Sequence, residues 1–219
     1  MEIIEPEFEN QETQHLILSA QDLRSGKLAE LLPEFYELKS STENSKDGWH
    51  QQEPVFDHTL NVMEALEKIF TDNKNLESAF GEKIGNYTRK ELLEIATAFH
   101  DIGKREAMIK EGEFTKCPGH EQISVKKTKI ILKRFDLSEK ETQLVLEIIA
   151  NHSVFHHLSV ADNKNLSADL ERLKSKLGEL YPDLVVLSYA DTKNSKLSLA
   201  DPEKFKKYID FYQGETEKL

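Results

Sequence analysis

Four histidines and two aspartates, spread over more than half of a 219-residue chain, could do metal chemistry together: His58, the adjacent pair His100-Asp101, His120, His152 and Asp191. Imidazole and carboxylate are donors that divalent Mn, Fe, Ni, Co, Zn or Mg accept. Two adjacent ligands cannot hold such an ion unless the fold delivers others. Taken singly, each residue reads as an ordinary core or surface group. Taken together, they look like a metal site that needs a folded scaffold to close it.

The elements that would position these groups are visible as apolar stripes. Leu92 and Ala96 precede His100 at helical spacing, Val145 and Ile148 precede His152, and Leu184 and Leu187 precede Asp191. From His58 the stripe runs forward through Val62, Leu66 and Ile69, so this residue opens its helix with the same face inward. Four helices thus aim polar side chains at one interior. A buried imidazole or carboxylate without a partner is costly or changes protonation, so the convergence implies either a hydrogen-bond network or a metal.

The helical period dominates the whole chain, and no strand alternation persists. It predicts helices over about 11–20, 26–38, 54–72, 88–101, 119–135, 138–153, 166–180, 182–194 and 202–212. Ser138-x-x-Glu141 reads as a capping box, and Pro182 suits a first helical turn. Residues 40–53 read as a polar loop. The expected fold class is an all-α helical bundle, with an N-terminal lead-in over 1–50 packed on a main domain over 51–219.

Six stretches, in order, resemble a known family. They are Leu32-Pro33-Glu34-Phe35-Tyr36-Glu37-Leu38, Val55-Phe56-Asp57-His58-Thr59-Leu60, Phe99-His100-Asp101-Ile102-Gly103-Lys104, Gly119-His120-Glu121, Asn151-His152 and Tyr189-Ala190-Asp191-Thr192. The chain resembles the HD superfamily of metal-dependent phosphohydrolases, and within it the HD domain of bacterial tRNA nucleotidyltransferases and poly(A) polymerases. The resemblance implies an all-α HD-domain bundle holding one or two divalent ions. It implies metal ligation by His58, His100, Asp101 and Asp191, with His120 and His152 reaching a second ion or a phosphate. It further implies a phosphomonoesterase or phosphodiesterase of small nucleotide-type substrates, in which Asp101, Lys104 and His120 act in catalysis and Lys104, His120 and His152 contact substrate.

Departures narrow that reading. Residues 1–30 offer no Gly-Ser and paired-Asp motif of a nucleotidyltransferase head, so nucleotide addition is not implied. The motif continues as Ile102-Gly103-Lys104, unlike the HD nucleoside-monophosphatases and alarmone hydrolases, and no Gly-Tyr-Pro of the cyclic-dinucleotide enzymes follows. Two other classes compete: a catalytically silent metal or nucleotide sensor, and a purely helical interaction module without a metal.

Composition bounds the partners. A net charge of −11 opposes broad attraction to tRNA, other nucleic acid or anionic membrane. Residues 100–135 nevertheless hold nine Lys or Arg against five Asp or Glu, which suits a small phosphorylated substrate beside the motif. The run Lys126, Lys127, Lys129, Lys133 and Arg134 reads as a solvated helix face. One cysteine, Cys117, excludes an internal disulfide and reads as an ordinary thiol. No basic leader or membrane-length apolar run appears, and a cytoplasmic location is expected. Lys104 is expected to contact phosphate rather than merely oppose a helix dipole, whereas Arg105 is read the other way. His156 and His157 are read as a solvated loop pair. His15 is taken as structural or surface, and His50 is read as an ordinary residue of the polar loop, with bordering the pocket as the lesser alternative.

Overall fold

In the computed structural model, which describes residues 14–219, the chain winds around α3 (Val55–Asp72). This helix buries Val55, Leu60, Val62, Leu66 and Phe70 almost completely. Each such side chain contributes roughly 1.5–3 kcal/mol of burial, so this face is what places His58. The other elements, in chain order, are α1 (Ala20–Ser25) and α2 (Pro33–Tyr36), the hairpin β1 (Thr42–Glu43) with β2 (Glu53–Pro54), and then α3 itself. After it come α4 (Lys74–Ala79), the hairpin β3 (Lys83–Ile84) with β4 (Tyr87–Thr88), α5 (Arg89–Phe99) and α6 (Lys104–Ala107). A third hairpin, β5 (Ile109–Glu111) with β6 (Phe114–Lys116), leads into α7 (His120–Leu132), α8 (Glu139–Asn151) and α9 (Val154–Leu158). The chain ends with α10 (Leu166–Leu177), α11 (Tyr181–Asn194), α12 (Leu197–Ala200) and α13 (Pro202–Thr216).

α3 packs on α11 and α5, α5 on α8, α8 on α7, and α11 on α13. Local chemistry sets the helix starts. The Ser138–Glu141 capping box forms at the head of α8, and Thr88 with Glu91 makes a second one at the head of α5. Pro182 lies in the first turn of α11. The described part of the N-terminal segment adds Leu16, Leu18, Leu23, Leu32, Phe35 and Leu38 to the same core. Among the described residues no helix is long and apolar enough to cross a membrane.

The all-α class stands, with corrections near the start. The helix expected over 11–20 begins outside the described residues, and residues 14–19 are not helical: Gln14 pairs with Phe135 in a parallel bridge. Leu16 and Leu18 are buried while Ile17 is 65% exposed, a two-residue alternation too short to register against the helical period. The helix expected over 26–38 is broken. Gly26 ends α1 at φ +85°, and Pro33 starts α2 afresh before a 3-10 turn over Glu37–Ser40. The polar loop of 40–53 carries both strands of the first hairpin except its last residue, and it buries Glu43 and Glu53.

Candidate metal centre

Helix ends deliver the site. His58 lies in the first turn of α3, His100 caps the C-terminus of α5 and is followed by Asp101, and His120 opens α7 behind Gly119. His152 caps α8, and Asp191 projects from α11. Gly103 explains the tight turn after the pair. A Cβ there would lie 2.6 Å from the His120 carbonyl oxygen and 2.5 Å from the Ser124 nitrogen, so only glycine lets the turn sit against α7. The Gly103 N–H in turn donates to Ser124 Oγ over 2.9 Å.

Asp101 is the hub. Its Oδ1 lies 3.3 Å from His120 Nε2 and 3.6 Å from His152 Nε2, while its Oδ2 lies 3.2 Å from His100 Nε2 and 2.8 Å from Lys104 Nζ. His58 Nε2 lies 3.0 Å from Asp191 Oδ1. All six residues singled out from the sequence therefore meet in one place. His58, His100, Asp101 and His152 are almost completely buried; His120 and Asp191 retain 13% and 14% side-chain exposure. Among the described residues three triads have donor atoms close enough to share an ion: His58–His100–Asp101 and Asp101–His120–His152, with Asp101 common to both, and His50–Glu53–His58 beside them.

Tautomers sharpen the argument. The Nδ1 atoms of His100, His120 and His152 sit 2.6, 2.9 and 2.7 Å from the carbonyl oxygens of Thr97, Cys117 and Ile149. A carbonyl only accepts, so each Nδ1 carries the proton and each Nε2 turns a bare lone pair inward. The Nε2 atoms of His120 and His152 are then 3.1 Å apart and both face a carboxylate. One extra proton can bridge that pair. It cannot also satisfy His100 Nε2 and Asp101 Oδ1, which are buried without a hydrogen-bond partner. A divalent cation satisfies lone pairs and carboxylates together, so these residues fit a metal.

The charges agree. Among the described residues the four carboxylates Glu43, Glu53, Asp101 and Asp191 outnumber the two ammonium groups they face, Lys104 (2.7 Å to Glu43) and Lys196 (3.0 Å to Glu53), and without an ion a proton on His58 offsets part of the difference. Burial opposes ionisation of Asp101, but His100 and Lys104 outweigh it and hold the carboxyl well below its usual range. Asp191 is likewise held low against burial by His156 and His58. Burial disfavours charge on His58, yet Asp191 and Glu53 overcome it and push its pKa up to about 10. Burial lowers His152, while Asp101 raises His120 in spite of burial. The pull of Asp101 and Glu43 exceeds the burial penalty on Lys104 and keeps it charged.

Several expectations change. His156 is not a solvated loop residue: on α9 its Nε2 is 3.3 Å from Asp191 Oδ2, and its ring meets Trp49 at 4.4 Å. His157 is exposed. His50 lies against the site, 4.7 Å from the His58 ring, together with Glu43 and Glu53, which belong to the segment expected to be a polar loop. Lys104 lies on the short α6, past the end of α5, and its ammonium is paired with Asp101 and Glu43. Arg105 pairs with Glu37, and His15 stacks on Tyr87 at the surface. The Cys117 thiol is pushed up to about 12 by burial and the Glu43 charge, which leaves it inert as a nucleophile.

A family model described as the HD domain matches residues 55–192, a segment that holds all six convergent residues. Two curated relatives are similar to this chain. Both are bifunctional uridylyltransferase/uridylyl-removing enzymes from Azotobacter vinelandii, one of them from strain DJ / ATCC BAA-1303, and each is 29% identical over 148 residues. The match covers 66% of this chain but 14% of theirs, so the chain spans a small part of their length. The motif resemblance to tRNA nucleotidyltransferases and these uridylyltransferase relatives differ in subgroup but coincide in the domain. With more than half of its length matched, the chain belongs to the HD domain family.

Proposed function

We propose that the protein is a metal-dependent phosphohydrolase acting on a small nucleotide-type phosphoester. The observation that carries this reading is the set of buried, unpartnered imidazole nitrogens gathered around Asp101. His58, His100, Asp101 and Asp191 would hold one divalent ion, and Asp101, His120 and His152 a second. When bound, a divalent ion supplies Lewis acidity that makes water nucleophilic near neutral pH and offsets phosphoryl charge.

The chain's own groups do the rest. Asp101 orients the nucleophile and can take its proton on a carboxylate oxygen. Lys104 has three N–H donors, of which Glu43 and Asp101 occupy two; the third is left for a phosphoryl oxygen. Where a single ion is held, His120, on the more open side of the centre and protonated at Nε2, can instead donate to the charge that develops on phosphorus-bound oxygen. Thr59, Thr97, Phe99 and Ile102, close in sequence to the ligands, are fully buried, and burial of this kind keeps the local dielectric low and strengthens each contact.

Elemental analysis of chelator-free protein, followed by turnover assays with Mn2+, Ni2+, Co2+ and Mg2+, tests the proposal. The substrates are bis-p-nitrophenyl phosphate, a 2′,3′-cyclic nucleotide and, because the relatives' name includes uridylyl removal, a uridylyl phosphodiester. About one or two ions per chain and turnover of at least one substrate are expected. Asp101→Ala and His58→Ala should lower both. Unchanged metal content in the two variants would sink the metal assignment. Full metal content without turnover would favour a silent sensor, and no metal at all a helical interaction module.

A further inference from the structure

Three buried polar atoms without hydrogen-bond partners lie together beside the centre, on its N-terminal side: His50 Nδ1, Glu53 Oε2 and His58 Nδ1. Glu53 Oε2 is 3.4 Å from His58 Nδ1 and 3.6 Å from His50 Nδ1, and the other carboxylate oxygen of Glu53 is 3.0 Å from Lys196 Nζ. The Glu53 side chain is 4% exposed. It stands at the end of the hairpin over 42–54, just ahead of the HD-matched segment.

This cluster could in principle take a cation or a proton. A cation on His58 Nδ1 would require that ring to lose both protons while Nε2 serves the main centre. It would also sit beside a carboxylate already paired with an ammonium. A proton needs neither. Closing the 3.4 Å gap by a few tenths of an ångström makes a normal N–H···O bond. His58 also differs from His100, His120 and His152, whose Nδ1 atoms all face backbone carbonyls. His58 Nδ1 instead faces the Glu53 carboxylate, so a side chain stands where the other three histidines have a backbone carbonyl.

We propose that Glu53 is the positioning carboxylate of the metal centre: it accepts the Nδ1–H of His58, fixes the ring's tautomer and turns its Nε2 toward Asp191 and Asp101. Lys196 holds Glu53 from one side and His50 from the other, and His50 reaches on toward Glu43, 3.7 Å away. A carboxylate behind a metal-bound imidazole raises its basicity, and losing such a partner typically costs about 10–100-fold in metal affinity. The inference rests on the metal-centre reading above.

The test measures binding rather than turnover, with Zn2+ as the probe. In the Zn2+-loaded wild-type protein, nitrogen-15 NMR of the histidines should show His58 protonated at Nδ1, with that proton protected from exchange, and ligated through Nε2. By chelator competition, Glu53→Ala should bind Zn2+ about 10–100-fold more weakly at unchanged stoichiometry. Glu53→Gln keeps an acceptor oxygen and should recover most of that loss, with Nδ1–H retained. Should Glu53→Ala not fold, the wild-type spectrum and the Gln variant still decide. Ligation through Nδ1, or wild-type affinity in every folded variant, overturns the proposal and leaves the metal centre standing. Loss of one bound ion in both variants overturns it in favour of Glu53 as a direct ligand. A wild-type protein that takes up no Zn2+ or Mn2+ removes this inference and the metal reading together.

Discussion

Lys104 offers the sharpest test of how charge is arranged around Asp101. The residue is 6% exposed, and its ammonium lies 2.8 Å from Asp101 and 2.7 Å from Glu43. Lys104→Met keeps most of the side-chain volume and removes the charge, so without metal it leaves two buried carboxylates facing each other. Breaking a buried ion pair from one side costs about 3–5 kcal/mol. At about 2–4 °C per kcal/mol for a chain of this size, the Tm should fall by roughly 6–20 °C. With a divalent ion bound, Asp101 regains a cation and only Glu43 stays unpaired, so the penalty should drop by roughly half. The cycle then requires the variant to bind the ion more tightly by about 2 kcal/mol, roughly thirtyfold. Differential scanning calorimetry in chelator and in saturating Mn2+ measures both arms. A loss below about 1 kcal/mol in chelator, or an equal loss with and without Mn2+, refutes the reasoning. In the same preparation kcat/KM should fall by about 10–1000-fold at full metal occupancy if the third N–H meets the phosphoryl group, and Lys104→Arg should restore only part.

Gly103→Ala forces a methyl group into the His120 carbonyl and the Ser124 nitrogen, and should cost about 1–3 kcal/mol in urea unfolding together with weaker ion binding, because His120 opens the displaced helix; wild-type stability and affinity would refute the close-approach argument. Glu94 tests burial of a different kind. Its pKa is pushed up to about 7 by burial and by the neighbouring Glu91 and Glu67, against Lys90. An acid whose folded pKa lies above its unfolded value binds its proton more tightly when folded, so stability falls as pH rises through this window and the full deficit is present above it. From 4.5 to about 7 is 2.5 units, an upper limit of about 3.4 kcal/mol at 1.36 kcal/mol per unit. With the side chain 24% exposed, about 1–2 kcal/mol is realistic. Glu94→Gln should therefore stabilise the protein by that amount at pH 8 and barely at pH 4.5; equal effects at both pH values would remove Glu94 as the cause.

Legibility along the sequence followed the length of the repeating pattern. α3, α5, α8 and α11 each carry several apolar residues at helical spacing, and their ends fall within a few residues of the expected ones. Because five of the six site residues ride on or next to those helices, the spacing of apolar residues points to their convergence, whereas His120, at the head of α7, is placed with them by the family resemblance. His156 escaped for the opposite reason. Ser153 breaks the run after α8, and the five-residue α9 that follows is too short to show a period, so nothing in the sequence reveals that His156 turns back to Asp191. Its pairing depends on Trp49 and Tyr208, which come from distant parts of the chain.

Glu43, His50 and Glu53 expose a deeper limit. A polar loop and a polar interior have the same composition, and only the anchoring contacts separate them. Here the anchors are two residue pairs of β1 with β2, Asn44 bonded to Thr115, the buried Trp49 ring, and the Trp49 carbonyl bonded to Lys196 N–H. None has a periodic signature. The charges on this segment are nevertheless consistent with what the helices hold. Four carboxylates against two ammonium groups is an arrangement a protein interior tolerates poorly by itself; a proton on His58 offsets part of it, and His100 Nε2 is still left without a partner. A divalent cation at the centre would offset the carboxylates and meet that nitrogen at once. The segment ahead of α3 therefore belongs to the energetics of the site as much as the HD-matched helices do. Removing Glu43 or Glu53 should alter ion affinity even though neither lies in the matched segment.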